Sequence, residues 1–361
     1  MSAPTPRHAY TTHNPSADQR ILELVDEFAD PFDRHLLAEM MVSVYRLGRD
    51  GSSTGDLKIL NAALKELRYA FKIFHPYRDI RKVALFGSAR LPRRHPAYAM
   101  AKTFGQLMGR AKWMVITGAA SGIMKAGHEG AGRAASFGLN IRLPFEQAAN
   151  PVIATDSKLI SCKYFFTRKL LFIKESHATA LFPGGFGTLD EGFESLTLVQ
   201  TGKSDPRPIV FVDSPRGTFW KPMLTFFERQ LVQGGMISPS ERSIYQVARS
   251  AEEAAEIIQR FYRVYHSQRY VKGWLVLRLQ QPLEERAVAR LATEFRDLLR
   301  SGAIRQGTAL PEERDEPELQ QLPRLILDFN RQHYGRLIDL IHRINELGTE
   351  GRAPRTRTST T

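Results

Sequence analysis

From Lys82 onward the sequence alternates short apolar runs with amphipathic segments, and that alternation most narrows what the chain can fold into. The runs are "KVALFGSA", "WMVITGA", "LNIRLP", "ATALFPG" and "PIVFVDS". Strands buried on both faces of a parallel sheet read as continuous apolar stretches rather than as alternating ones. Between them, residues 97–110, 122–137, 164–176, 188–201 and 220–233 carry helical patterns. Strand, helix, strand in repetition is the signature of βαβ units. The pattern predicts a doubly wound, Rossmann-like α/β domain with a parallel sheet over residues 81–265.

The flanks read differently. Residues 1–18 are expected to lack structure, and 19–80 place apolar residues at helical spacing, giving an N-terminal helical region. Residues 266–348 read as a small α+β module: a strand in "WLVLRL", a helix over 284–300, a polar loop "PEERDEPELQQ", a strand in "RLILDF" and a last helix. The 284–300 helix rests on Val288, Leu291, Phe295, Leu298 and Leu299 sharing one face. Residues 349–361 form a basic tail too polar to pack. There is no internal repeat, and no role for the C-terminal module emerges from its residues.

With 361 residues, 42% of them hydrophobic, the chain has enough apolar side chain for a sizeable core. No apolar run approaches membrane-spanning length, and the N-terminus lacks the apolar core of a secretion signal. The single cysteine, Cys162, excludes an internal disulfide and a cysteine-based zinc site, and the cytoplasm is the expected compartment. The formal charge of +13 points to anionic partners without choosing among them. No basic stripe interleaved with aromatics supports a nucleic-acid partner.

Chemistry is expected where the strands end, because open parallel sheets bind ligands beyond the carboxyl ends of their strands. The first such end, "FGSAR", offers Gly87 and Ser88; the second, "TGAASGIM", offers Gly118 and Gly122 around a turn that opens a helix. The third, "PGGFGT", sets Gly184, Gly185 and Gly187 within four positions, a density that lets backbone approach a ligand closely. Thr188 then stands at a helix N-cap with Glu191 three residues on, the spacing of a capping box, and Asp190 and Glu194 lie where carboxylates complement a helix dipole. Glu191 therefore has a structural reading and a catalytic one, and both stand at this point. Upstream, Arg168 and Lys169 sit side by side in "YFFTRKLLFIKES"; the arginine is suited to holding a phosphate or a carboxylate through two bonds. His128 and His177 stand singly, so no cluster with metal-ligand spacing is expected.

Together, "GSAR", "TGAASGIM", "FTRK" and "PGGFGTLDE" resemble the LOG family, the cytokinin-activating phosphoribohydrolases whose signature is PGGxGTxxE preceded by an Arg-Lys pair. The resemblance covers roughly residues 82–235, and Pro183 to Glu191 match the signature in full. It implies that Arg168 and Glu191 are the catalytic pair. It further implies that Gly87, Ser88, Gly118, Gly122, Lys169, Gly184, Gly185, Gly187, Thr188, Asp190 and Thr197 bind substrate, with no cofactor and no metal. The implied reaction is hydrolysis of the N-glycosidic bond of a nucleoside 5′-monophosphate, AMP or an N6-modified AMP, and the implied assembly is a homodimer or a multiple of one. One departure matters: where the family has TGGGxGIM, this chain has Ala119 and Ala120, whose methyl groups stand where close ligand approach is expected.

Alternatives from other classes fit less well. A nucleotide-binding regulator without turnover would not need both Arg168 and Glu191. A nicotinamide dehydrogenase would carry G-x-G-x-x-G after the first strand, where "FGSARLPR" stands. A lysine decarboxylase would need pyridoxal phosphate partners that the sequence does not display.

Overall fold

The computed structural model describes residues 10–31, 33–142 and 148–350. The chain divides into two compact units, Met1–Arg68 and Tyr69–Thr361, so the C-terminal module and the α/β part lie in one unit. The basic tail from 351 onward and residues 1–9 fall outside the described residues.

In the first unit, α1 (Pro15–Asp26) and α2 (Arg34–Arg49) pack on each other, and α3 (Thr54–Phe74) leads across the boundary between the units. The first helix begins inside the segment expected to lack structure. Asn14 starts it, its side chain accepting from the amides of Ser16 at 3.1 Å and Ala17 at 3.3 Å. Such a cap stabilises a helix by about 1 kcal/mol relative to alanine.

The second unit opens with β1 (Lys82–Phe86), α4 (Pro96–Arg110), β2 (Met114–Thr117), α5 (Ile123–Ala131), β3 (Ser136–Ile141), β4 (Leu159–Cys162) and α6 (Phe165–Glu175). It continues through β5 (Ala178–Leu181), α7 (Phe186–Gln200), β6 (Ile209–Val212), α8 (Lys221–Phe226), β7 (Tyr245–Ala248) and α9 (Ala251–Phe261). These strands form one seven-stranded sheet in the order β4-β3-β2-β1-β5-β6-β7, parallel throughout. The order reverses direction between β1 and β5, so the loops after those two strands meet at the topological switch point. Every residue of β1, β2, β5 and β6 is buried. The core beneath them includes Val83, Leu85, Phe104, Met108, Val115, Phe182 and Ile258. Each large apolar side chain buried in this way contributes roughly 1.5 to 3 kcal/mol of transfer free energy.

Several boundaries differ from expectation. The helix expected over 122–137 stops at Ala131, because Gly132 takes a φ of +78° and Ser136 already belongs to β3. The helix expected over 220–233 is α8 followed by a π-helical stretch, Phe227–Val232. The end of the "LNIRLP" strand, residues 143–144, lies outside the described residues.

A second, four-stranded antiparallel sheet in the order β10-β11-β9-β8 follows, built from β8 (Tyr265–Val271), β9 (Trp274–Leu279), β10 (Leu299–Gly307) and β11 (Arg324–Phe329). Its helices are α10 (Glu285–Glu294) and α11 (Tyr334–Leu347). The expected 284–300 helix is shorter: a 3-10 turn at Arg296–Leu298 follows α10, and Leu299 opens β10. Leu291, Phe295 and Leu298 are buried all the same, so the apolar face is right and the element type changes along it. No described helix is long and apolar enough to cross a membrane.

Candidate functional site

Three loops converge at the switch point. Ser88, after β1, donates its amide to the Pro183 carbonyl after β5 at 3.0 Å, and its own carbonyl accepts from the Ile123 amide at the start of α5 at 3.0 Å. Two glycines allow this stitching. Gly122 has a φ of +62°, and a Cβ there would stand 2.2 Å from the Ser88 oxygen; a Cβ on Gly184 would stand 2.1 Å from Thr188 Oγ1. Both contacts are far inside van der Waals range, so any side chain at either position must move backbone.

Between the loops lies a cavity of about 640 Å³, lined among others by Gly87, Ser88, Arg90, Gly118, Met124, Arg168, Phe172, Gly185, Gly187, Thr188 and Glu191. Gly185 and Gly187 differ from the other glycines there. A Cβ on either would meet nothing within 4 Å, and neither has a positive φ, so neither packing nor backbone conformation requires glycine. The amides of Phe186 and Gly187 have no backbone acceptor among the described residues, whereas Thr188 donates to Gly185 at 3.0 Å. A helix N-terminus with open amides and no side chain in front of them is suited to an anion.

The N-cap of α7 is Gly185, with no side-chain cap, so the helix starts earlier than its sequence suggested. Thr188 and Glu191 therefore lie inside the helix, and the capping-box reading of that pair is incorrect. Glu191 points into the protein instead. Its side chain is 5% exposed, Oε1 stands 3.6 Å from Arg168 Nη2, and Oε2 stands 4.0 Å from Lys169 Nζ. Neither distance is a hydrogen bond, and Oε2 has no hydrogen-bond partner. Burial pushes the Glu191 carboxyl up to about 7, against the opposing pull of Lys169 and Arg168. Arg168 is itself pulled down by burial while Glu191 holds it up, and its guanidinium lies over Phe165 and Phe172 at 5.0 and 5.8 Å from the ring centroids.

Lys169 pairs with Asp190 at 2.9 Å and Glu194 at 3.0 Å. Neither Lys169 nor Asp190 lines the cavity; they form a charged cluster behind Glu191. Thr197 is not brought to the cavity either: it is exposed and borders a separate groove with Phe193, Leu196, Phe227 and Tyr245.

The second loop accommodates its alanines in a way the sequence did not show. Ala119 takes a φ of +61°, a conformation that costs about 1 kcal/mol or more in a residue with a Cβ, yet it is fully buried. Its methyl lies toward Gly138, whose own Cβ would come within 3.0 Å of it, and not toward the cavity. Asn150 holds it there: its amide and Nδ2 donate to the Ala119 carbonyl at 2.8 and 2.9 Å, and Nδ2 lies 3.2 Å from the Ala120 carbonyl. His128 supports Asn150 from behind, its Nε2 within 3.0 Å of the Phe137 carbonyl and its Nδ1 3.2 Å from Asn150 Nδ2. Burial pushes the His128 imidazole down to about 4, which leaves it neutral. His177 is likewise structural, its Nδ1 accepting from the Lys82 amide at 3.1 Å. Nothing in the sequence near "TGAASGIM" signals Asn150, which lies far along the chain.

An open parallel sheet whose switch point carries a cavity rimmed by glycine loops defines the doubly wound α/β class. Within that class, the loop after β5 and the Arg168–Glu191 pair it faces are similar to the pattern of the LOG family. Residues 117–258 match the family model described as "Possible lysine decarboxylase". Among curated relatives, the chain is similar to the probable cytokinin riboside 5′-monophosphate phosphoribohydrolase LOGL3 of Oryza sativa subsp. japonica, 35% identical over 95 residues, covering 26% of this chain and 43% of the relative. It is also similar to the cytokinin riboside 5′-monophosphate phosphoribohydrolase LOG5 of Arabidopsis thaliana, 29% identical over 136 residues, covering 37% of this chain and 58% of the relative. The chain thus spans about half the length of the curated relatives it matches. Solved structures that resemble it include the molybdenum cofactor binding protein of Rippkaea orientalis, at 20% identity and a TM-score of 0.34, covering 50% of this chain and 94% of that one. Another is the Moco carrier protein of Chlamydomonas reinhardtii, at 17% identity and a TM-score of 0.35, covering 50% of this chain and 96% of that one.

Proposed function

We propose that the protein is a phosphoribohydrolase that cleaves the N-glycosidic bond of a nucleoside 5′-monophosphate, AMP or an N6-modified AMP, to free base and ribose 5-phosphate. The observation that carries this reading is the buried Glu191 carboxylate, one oxygen unbonded, at a cavity whose rim presents open helix amides behind two glycines. The amides seat the phosphate, which leaves the ribose beside Glu191. As the bond to the base breaks, its electron pair leaves with the base and C1′ gains positive charge. The Glu191 carboxylate stabilises that charge and takes a proton from the attacking water, whose hydroxyl goes to C1′, as carboxylates do in glycoside hydrolysis. The departing base takes its proton from solvent. Arg168 keeps Glu191 ionised and oriented, and the aromatic wall of Phe86 and Phe172 keeps water away from the other side.

Gly187→Ala isolates the role of the rim. The new methyl meets no protein atom within 4 Å, and alanine is a better helix residue than glycine by up to about 1 kcal/mol, so the melting temperature should hold or rise. The methyl nonetheless occupies the phosphate position, and kcat/KM for AMP should fall by at least about tenfold. Unchanged kinetics in the stable variant would remove the phosphate from this loop.

The proposed assembly is a homodimer or a multiple of one. Support for it comes from Phe165, Phe166 and Leu170 on α6, Phe193 on α7 and Phe226 on α8, all between 43% and 52% exposed, large apolar side chains that a second copy would cover. Analytical ultracentrifugation at micromolar concentration should give a dimer mass; a fully active monomer would contradict it.

A further inference from the structure

The ionisable side chains that line the cavity are Arg90, Arg168 and Glu191. Two of the three cancel: Arg168 and Glu191 pair at 3.6 Å. Lys169, the other cation near the site, is committed to Asp190 and Glu194. Of the basic residues that follow on the same segment, Arg93 is committed to Glu129 at 3.2 Å. Of the two basic side chains that line the cavity, Arg168 is paired with Glu191 and Arg90 pairs with no carboxylate among the described residues. A phosphomonoester carries about −1.5 to −2 charges at neutral pH, and helix amides supply only partial positive charge against it.

The segment bearing Arg90 is also held in place. Its amide donates to Ser88 Oγ at 3.1 Å, and Ser88 is bonded on one side to Pro183 in the loop before α7 and on the other to Ile123 at the head of α5. The backbone from which Arg90 projects is therefore fixed against the loop whose amides are open, while its long side chain stays free to close on a ligand.

We propose that Arg90 is the cation that binds the 5′-phosphate, and so the residue that makes the site select nucleotides over nucleosides. Arg168, the obvious candidate, serves the carboxylate instead. The proposal rests on the phosphoribohydrolase reading, and it extends the binding site to a residue outside the PGGxGTxxE run and its Arg-Lys pair.

The test uses the full chain carrying Glu191→Gln, so that ligands are not consumed, with calorimetric titration of 5′-AMP and of adenosine. AMP should bind at least about tenfold more tightly than adenosine, as expected of a bidentate, charge-assisted contact. Adding Arg90→Ala should close that gap to within about threefold by weakening AMP alone, and Arg90→Lys should leave a gap of intermediate size. Arg94→Ala, which removes the same charge four residues on and outside the cavity lining, should leave the gap intact. The proposal is overturned if AMP shows no advantage to begin with, if the gap survives Arg90→Ala, if both ligands weaken together, or if Arg94→Ala closes the gap equally. Turnover of AMP by the unmodified protein separates the two claims. Base release with a gap indifferent to Arg90 leaves the reaction standing and removes Arg90 from it. An Arg90-dependent gap without base release does the reverse.

Discussion

Glu191→Gln is expected to lower kcat by about 10² to 10⁴ while making the folded protein more stable in alkaline solution. The two effects share a cause. The carboxyl is buried with an unbonded oxygen, and its folded-state value near 7 lies above the ordinary 4.5 of an unfolded chain. A carboxyl raised in this way binds its proton more tightly in the folded state. The stability it contributes is fully present below pH 4.5 and is lost as pH rises through about 7. Above that pH the charged carboxylate costs on the order of 3 kcal/mol relative to its protonated form. Glutamine has the same shape without the charge, so at pH 8 the variant should melt higher than the parent, with the difference shrinking toward pH 5. In the parent, kcat/KM should rise with pH and level off above about 7, because only the ionised carboxylate stabilises positive charge at C1′. Thermal melts and a pH series on both proteins check all three outcomes. A variant with more than about a tenth of parental kcat would show that the carboxylate is not catalytic.

The second large effect concerns the phosphate. AMP should be cleaved at least about a hundredfold faster than adenosine, because charge-assisted contacts contribute roughly 1.5 to 3 kcal/mol each and several act together here. The difference is expected in kcat/KM and in part in kcat, since a seated phosphate fixes the ribose against Glu191 and a nucleoside forfeits that positioning. Ribose 5-phosphate should inhibit competitively and free ribose should not. Equal rates on AMP and adenosine, measured as base released, would mean that the glycine rim does not hold a phosphate.

The sequence made some of this legible, for physical reasons that individual elements show. The runs at β1, β2, β5 and β6 stand out because every residue in them is buried. β4 and β7 are edge strands, half-buried and four residues long, and their mixed residues carry no pattern. α9 did have a readable start: Ser250 accepts from the Glu253 amide at 3.0 Å, Glu253 accepts from the Arg249 amide at 2.6 Å, and the apolar face of Ile257, Ile258 and Phe261 follows. At the site, glycine spacing located the loop after β5, but the true N-cap depended on where that loop is pinned to Ser88, a contact nearly a hundred residues away in sequence. The same distance problem hid Asn150 behind Ala119, and it hid the difference between Arg168, paired with Glu191, and Arg90, whose side chain pairs with no carboxylate among the described residues. Thr197 shows the converse: a matching position in sequence does not by itself put a side chain at the cavity.

The most direct measurement of the central claim is the product balance of the purified protein on 5′-AMP alone, followed by chromatography. Adenine and ribose 5-phosphate should appear in equal amounts, matching the AMP consumed, and Glu191→Gln should suppress both together. Adenosine with inorganic phosphate, or AMP recovered intact together with a panel of other nucleoside monophosphates, would contradict the account.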